Sequence, residues 1–384
     1  MSDYISKDLI DDIFTRLPTK SLLRFRSVSK SVCARISSPD FIRKHALQSQ
    51  PKFLIRHRLL PDDRDYYTIH SEDQLPLRNS GGYNDEVTFK FPYRYTYNIV
   101  GSCNGILCVY EEDLFGSYFS LWNPSIRCQL KLPDVPFCDS SSVDDLFCDR
   151  RSTVGFGFDS VNDDYKVVWL SYSQFRHPRV CSFVYTMKTD AWCKIQVPST
   201  TYSEVSSYAC LFNGALYWIA NCDSTMVDDI DRRHILTFDL STHLFGKIVL
   251  PKPNWGIHRL AIIKGSLAVF STTYNDSGIW VREEQDNTSS WSLFFESTTT
   301  QFERDRIFEL TSGDFLFHSY YTTPEVYNLE TGLTERVEFS PKVNIEKFVE
   351  TLELLGKGTS YEGKQPSFAR SQKKKKITYT WVED

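Results

Sequence analysis

Apolar residues near the start of the chain recur at helical spacing. Leu9, Ile13 and Leu17 fall every four positions, and Ile10 and Phe14 widen the stripe, the pattern of an amphipathic helix. Leu17-Pro18 ends it, because proline lacks an N–H and disfavours helical backbone in the residue before it. Leu22, Leu23, Phe25 and Val28 form a second apolar set and Val32 and Ile36 a third; Pro39 then punctuates the chain before Phe41, Ile42 and Ala46. The pattern predicts three or four short helices. A module this small buries little of the surface it exposes. It therefore fits either a partner's groove or a cap folded back on the rest of the chain.

From about Phe53 the period changes to two, with aromatic and β-branched residues alternating with polar ones, which predicts strands. Residues 61–71 read equally as a loop or as part of a first strand pair. Five segments share the plan strand, polar turn, strand: Ser120–Arg127, Val184–Trp192, Leu236–Phe245, Ile279–Arg282 with Ser290–Phe295, and Val326–Gly332. Between them fall Gly101–Cys108, Phe212–Ile219, Ile263–Phe270 and Leu310–Phe317, each an apolar strand, a Gly turn and another apolar strand. The second series suits inner strands buried on both faces, the first their outer partners. Spacings of about 40 to 60 residues are those of four-stranded propeller blades. Residues 53–97 and the C-terminal strands supply one more blade or close the ring. The predicted architecture is a small all-α module followed by an all-β propeller-like domain of about six or seven blades.

Composition narrows the function. Hydrophobic residues make up 41% of the 384, enough for a substantial core, and the 15% aromatic share favours sheets. A net charge of −5 argues against nucleic acid or an anionic membrane as a partner. The first residues lack the features of a secretory leader and no apolar run reaches a membrane span, so a cytoplasmic or nuclear protein is expected. The ten cysteines include no Cys-x-x-Cys pair, and reduced, mostly buried thiols are the expectation.

The run Lys7-Asp-Leu-Ile-Asp-Asp-Ile-Phe-Thr-Arg-Leu-Pro-Thr-Lys-Ser-Leu-Leu-Arg-Phe-Arg-Ser-Val-Ser-Lys30, continued by Ser38-Pro39-Asp40-Phe41, closely resembles the plant F-box signature. It departs where the family often has Leu-Pro and this chain has Ile5-Ser6, and where the family often has Trp and this chain has Val32. In that family the motif packs an apolar ridge into a Skp-type adaptor on a cullin scaffold, which brings the ubiquitin-conjugating enzyme. The resemblance puts Leu9, Ile13, Leu17, Pro18, Leu22, Leu23, Val28 and Val32 at the adaptor contact or the core behind it. The hairpin motifs, with Gly155–Val168, resemble the F-box-associated domain of plant kelch-like F-box proteins over most of residues 95–355. The division implied is an F-box domain at 1–50, the propeller-like domain at 51–355, and a basic tail at 356–384 that holds a closing strand or none. The function implied is that of a non-catalytic substrate receptor of a ubiquitin ligase, leading to degradation of a protein target. The alternative is an F-box-tethered propeller that binds a glycan or small molecule.

Chemical motifs add little to this. Gly101-Ser-Cys103-Asn-Gly105 imitates a nucleophile elbow, but a strand follows it where a helix is needed. Asp159, Asn162, Asp163 and Asp164 carry oxygen ligands, yet without the glycine and glutamate of a calcium loop; turn chemistry suits them better. The eight histidines are scattered, so neither a catalytic residue, a metal nor a cofactor is expected. Two acidic stretches interrupt the strand pattern, Phe137–Leu146 with Asp144 and Asp145, and Cys222–Arg233 with Asp228, Asp229 and Asp231. They read either as a recognition face for a basic protein target or as solvated insertions. Lys373–Lys376 reads as a nuclear import signal or as a solvated tail.

Overall fold

The computed structural model describes residues 6–59, 64–74, 89–90, 98–113, 116–136, 150–173, 181–196, 202–222, 233–251, 256–273, 276–285, 288–297, 306–318, 323–337, 343–353 and 379–381. Four helices come first: α1 (Lys7–Thr15), α2 (Thr19–Phe25), α3 (Lys30–Ile36) and α4 (Pro39–Gln48). Serine starts three of them. The hydroxyls of Ser6, Ser29 and Ser38 accept from the amides of Leu9, Val32 and Phe41 at 3.3, 3.2 and 3.4 Å, and each such cap is worth about 1 kcal/mol. Pro39 opens α4, where its missing N–H costs nothing. The helices are tied by Arg35 to Asp11 at 2.9 Å and by the buried His45, whose Nε2 donates to the Leu17 carbonyl at 3.0 Å. That carbonyl follows α1, where Pro18 prevents the helix from continuing.

The strands form six antiparallel sheets arranged as propeller blades. Blade one joins the two ends of the chain: Val343–Val349 is its innermost strand, followed by Pro51–Leu59, Arg64–Ser71 and Phe89–Lys90. Pairing of Ile55 with Ile345 closes the ring. Blade two runs Asn98–Cys103, Ile106–Asp113, Gly116–Asn123 and Cys128–Lys131, with Tyr379–Trp381 added outside. Blade three comprises Arg150–Asp159, Asp164–Ser173, Cys181–Thr186 and Ala191–Lys194. Blade four has a divided inner strand, Tyr202–Val205 and Cys210–Phe212, then Ala215–Cys222, Arg233–Asp239 and Phe245–Val249. Blade five is Ile257–Ile263, Ser266–Thr272, Ser277–Gln285 and Thr288–Ser297; blade six is Arg306–Glu309, Phe315–His318, Glu325–Tyr327 and Thr334–Arg336.

The Gly-turn motifs are the inner hairpins of blades two, four, five and six, and the other series forms the outer hairpins. Inner strands are buried on both faces, as at Ile106–Cys108 and Leu267–Phe270, whereas Phe245–Val249 outside is largely open. Asn104 and Gly105 make their turn with φ of 50° and 79°, a conformation that suits Asn-Gly. Gly105 is also needed for space, because a Cβ there would strike the Val349 carbonyl and the Thr351 side chain.

In blades two to six the first and second strands are joined at the same end as the third and fourth, so these connections share one face of the ring. Contacts between blades follow it round: Asn123 Nδ2 donates to the Thr351 and Glu353 carbonyls at 3.1 and 2.9 Å. Lys264 N donates to Glu309 Oε2 at 2.7 Å, and Thr311 N donates to the Glu72 carboxylate. The helices join at this face, where Pro51 starts beside Val349. Leu22, Ile36, Phe41 and Ile42 share one apolar cluster with Ile106 and Cys108 of blade two and with Leu352. Helical module and propeller therefore pack through a continuous core.

One expectation needs correction. Seven described cysteines are free, but Cys181 is in a disulfide. Sequence spacing shows nothing of this, since pairing depends on Cα atoms brought within about 6 Å by the fold.

Candidate functional site

The helical residues divide into a supporting layer and an open face. Leu22 is fully buried, and Leu17, Leu23 and Val32 are half-buried against the core. Pro18 is exposed; Leu9, Ile13 and Val28 are 52%, 46% and 68% exposed. Leu9 and Ile13 stand one turn apart on α1 and so share a face. Phe25, 38% exposed and stacked on Phe14 at 5.6 Å between ring centroids, belongs to this open surface, and sequence reading had not chosen it. Its signal was present, three residues after Leu22 and three before Val28. Full burial of one such side chain is worth about 1.5–3 kcal/mol, so this surface keeps several kcal/mol of apolar burial unused.

The candidate target-binding residues Asp144, Asp145, Asp228, Asp229 and Asp231 lie outside the described residues. The strand ends bracketing them are described: Lys131 and Arg150 for the first stretch, Cys222 and Arg233 for the second. These pairs join second to third strands, or one blade to the next, and so lie on the face opposite the helices.

The motifs tested for catalysis or metal binding prove structural. Cys103 ends an inner strand, and burial pushes its thiol up to about 12, leaving no thiolate nucleophile at neutral pH. Asp159 accepts from the amides of Val161 and Asn162 at 3.0 and 3.1 Å, which is turn chemistry. Its other oxygen meets Lys166 Nζ at 2.6 Å with both side chains buried. Although burial opposes ionisation, hydrogen bonds from Lys166 and Asn162 hold the Asp159 carboxyl down to about 2. Lys166 also donates to the Leu240 carbonyl at 2.6 Å and lies 2.9 Å from His243 Nε2. The Asp159–Lys166 pair thereby ties blade three to blade four. Among the described residues no His, Cys, Asp and Glu cluster could hold a metal ion, and no helix is long and apolar enough to cross a membrane.

The ring encloses a cavity of about 1040 Å³ lined by all six blades. The Arg306 guanidinium pairs there with Glu346 and donates to the Ile99 carbonyl at 3.0 Å, linking blades six, one and two. Lys347 Nζ donates to the Glu309 carbonyl at 2.6 Å.

Comparison with known families decides the identity of this arrangement. Residues 59–347 match the family described as F-box associated beta propeller domain, and residues 5–44 match the F-box domain. The chain belongs to the F-box proteins with an F-box-associated propeller. An F-box protein of Arabidopsis thaliana is 30% identical over 369 residues, covering 88% of this chain and 82% of that one. An F-box/kelch-repeat protein of the same plant is 28% identical, covering 74% and 77%, and the F-box protein CPR1 is 27% identical, covering 76% and 72%. Such F-box proteins are typically adaptor subunits and substrate receptors, and the F-box domain implies binding to a Skp-type adaptor.

Proposed function

We propose that this F-box protein is the substrate-recognition subunit of a Skp–cullin–F-box ubiquitin ligase, leading to ubiquitination and proteasomal degradation of a protein target. The F-box at residues 1–50 would dock the adaptor, and through it the cullin, while the propeller at 51–355 presents the target. The observation that carries this reading is the set of exposed apolar side chains, Leu9, Ile13, Phe25 and Val28, on a module whose own core is already filled by Leu22, Ile36 and Phe41. A partner that covers them gains apolar burial the chain does not use itself. The continuous core between F-box and propeller supports a fixed geometry between docking face and target face. Such a receptor needs no covalent chemistry of its own, because raising the effective concentration of target near the activated ubiquitin suffices.

The face opposite the F-box is where we place the target, with the acidic insertions selecting a basic protein surface. The tail at 356–384, with Lys373–Lys376, would act in nuclear import, so the protein works in cytoplasm and nucleus. Co-purification tests the docking half: wild type should bring down the adaptor and cullin, and Leu9→Asp should not. Retention of both by a folded Leu9→Asp protein refutes it. Replacing Asp228, Asp229 and Asp231 by Asn should weaken capture of the target while adaptor binding stays intact; unchanged capture removes the acidic face from the reading.

A further inference from the structure

We propose that the outer edge of blade two is a docking site for an extended segment of a protein partner, which displaces the chain's own strand Tyr379–Trp381. Cys128–Lys131 pairs with Gly116–Asn123 inside the blade and with Tyr379–Trp381 beyond it. Among the described residues, the fourth strand of every other blade is paired on its inner side alone.

This edge also differs from the others in burial. Cys128, Gln129 and Leu130 are 3%, 2% and 3% exposed, whereas no residue of Ala191–Lys194, Phe245–Val249 or Thr334–Arg336 is buried. Cys128 and Leu130 belong to the apolar cluster that holds Leu22 and Ile36 of the F-box. A segment laid on this edge is therefore held against the part of the ring that carries the helices. The edge of a sheet offers its backbone N–H and C=O groups to any extended chain, and strand addition of this kind draws its affinity from the main chain.

The occupant that the chain itself supplies is short. It pairs through three residues, Tyr379 with Leu130, Thr380 with Gln129 and Trp381 with Cys128, and 25 residues separate it from Glu353. A tethered strand competes at an effective concentration on the order of millimolar or less, so a partner segment that pairs along all of Cys128–Lys131 can replace it.

Gln129 indicates what that segment carries. Its side chain is buried, yet Oε1 accepts from no group among the described residues, a costly state for a polar atom. Side chains of directly paired residues stand together on one face of an antiparallel ladder, so the residue opposite Gln129 is placed to reach that oxygen. A partner segment with Gln, Asn or Arg there supplies the missing N–H. The site is separate from the adaptor contact, and failure of either leaves the other standing.

Calorimetric titration of the full chain tests this with two capped decapeptides. One copies residues 375–384, and the other carries Gln in place of Thr380. Thr380→Pro with Trp381→Pro opens the edge, because neighbouring strand residues direct their N–H groups to opposite sides and proline removes both. At an unchanged melting temperature this variant should bind the copied peptide at least tenfold more tightly than wild type does. It should bind the Gln peptide at least threefold more tightly than the copied one, and adding Gln129→Leu should remove that preference. A smaller gain on opening the edge, or no preference for the Gln peptide, overturns the proposal. Wild-type dimers at micromolar concentration that the double-proline variant does not form would assign the edge to a second copy and overturn the partner reading. If the double-proline variant folds poorly, Thr380→Gln in the full chain decides. It gives Gln129 a donor from within, and should raise the melting temperature of wild type but not that of Gln129→Leu; no rise in wild type overturns the proposal.

Discussion

Replacing Val28 by Asp separates docking from folding more cleanly than any other change in the F-box. Val28 is 68% exposed, so folding uses about a third of its apolar burial and leaves the rest for a partner. Complete burial of valine is worth about 1.5–2 kcal/mol, which leaves about 1 kcal/mol to be gained on docking. Aspartate loses that gain and adds the desolvation of a carboxylate pressed into an apolar contact, a further 1–3 kcal/mol or so. The expected total of about 2–4 kcal/mol corresponds to a roughly 30- to 1000-fold weaker complex. Folding stability should change by less than about 0.5 kcal/mol, as for an ordinary surface substitution. Leu22→Ala provides the contrast, because Leu22 is fully buried and its truncation should cost about 2–5 kcal/mol of stability. Calorimetric titration against purified Skp-type adaptor, paired with thermal melts of each variant, reads both quantities. Unchanged affinity in Val28→Asp, or a loss of affinity matched by a melting temperature as low as that of Leu22→Ala, would refute the division into docking face and supporting layer.

Further predictions concern the propeller. Lys166→Met leaves the Asp159 carboxylate buried without its cation, and chemical denaturation should show a loss of about 3–5 kcal/mol; adding Asp159→Asn should recover a large part of it. Burial, with a smaller effect of neighbouring His70, holds His57 down to about 4, whereas an unfolded histidine titrates near 6.5. The unfolded chain therefore takes up the proton first, and this residue's contribution to stability declines as pH falls through the window between those values. His57→Gln should flatten the stability profile there, as followed by melts at fixed ionic strength. Gly105→Ala should destabilise by more than Gly214→Ala. Both glycines have positive φ and share a strain of about 1–2 kcal/mol, but the new methyl meets the Val349 carbonyl at position 105 and open space at position 214. Equal melting temperatures for the two variants would contradict the close approach of Val349 and Thr351 to blade two.

By itself the sequence determined whatever depends on neighbours along the chain. Leu9, Ile13 and Leu17 specify a helix that Pro18 ends, and Asn104-Gly105, Asn213-Gly214 and Lys264-Gly265 specify hairpins, because backbone dihedrals and side-chain period are local properties. The resemblance of residues 7–41 to the F-box signature is likewise carried by a nearly contiguous run. The tertiary structure decided what depends on distant partners. Closure through Ile55 and Ile345, and hence six blades, required two strands from opposite ends of the chain to meet. A helical stripe shows which residues are apolar but not whether their partner is the protein's own core; Leu22 went inside while Val28 and the overlooked Phe25 stayed open. The gathering of Arg56, Arg259 and Arg306 around one cavity leaves no trace in sequence. Those residues come from three blades, and only the curvature of the ring brings their side chains to a common centre.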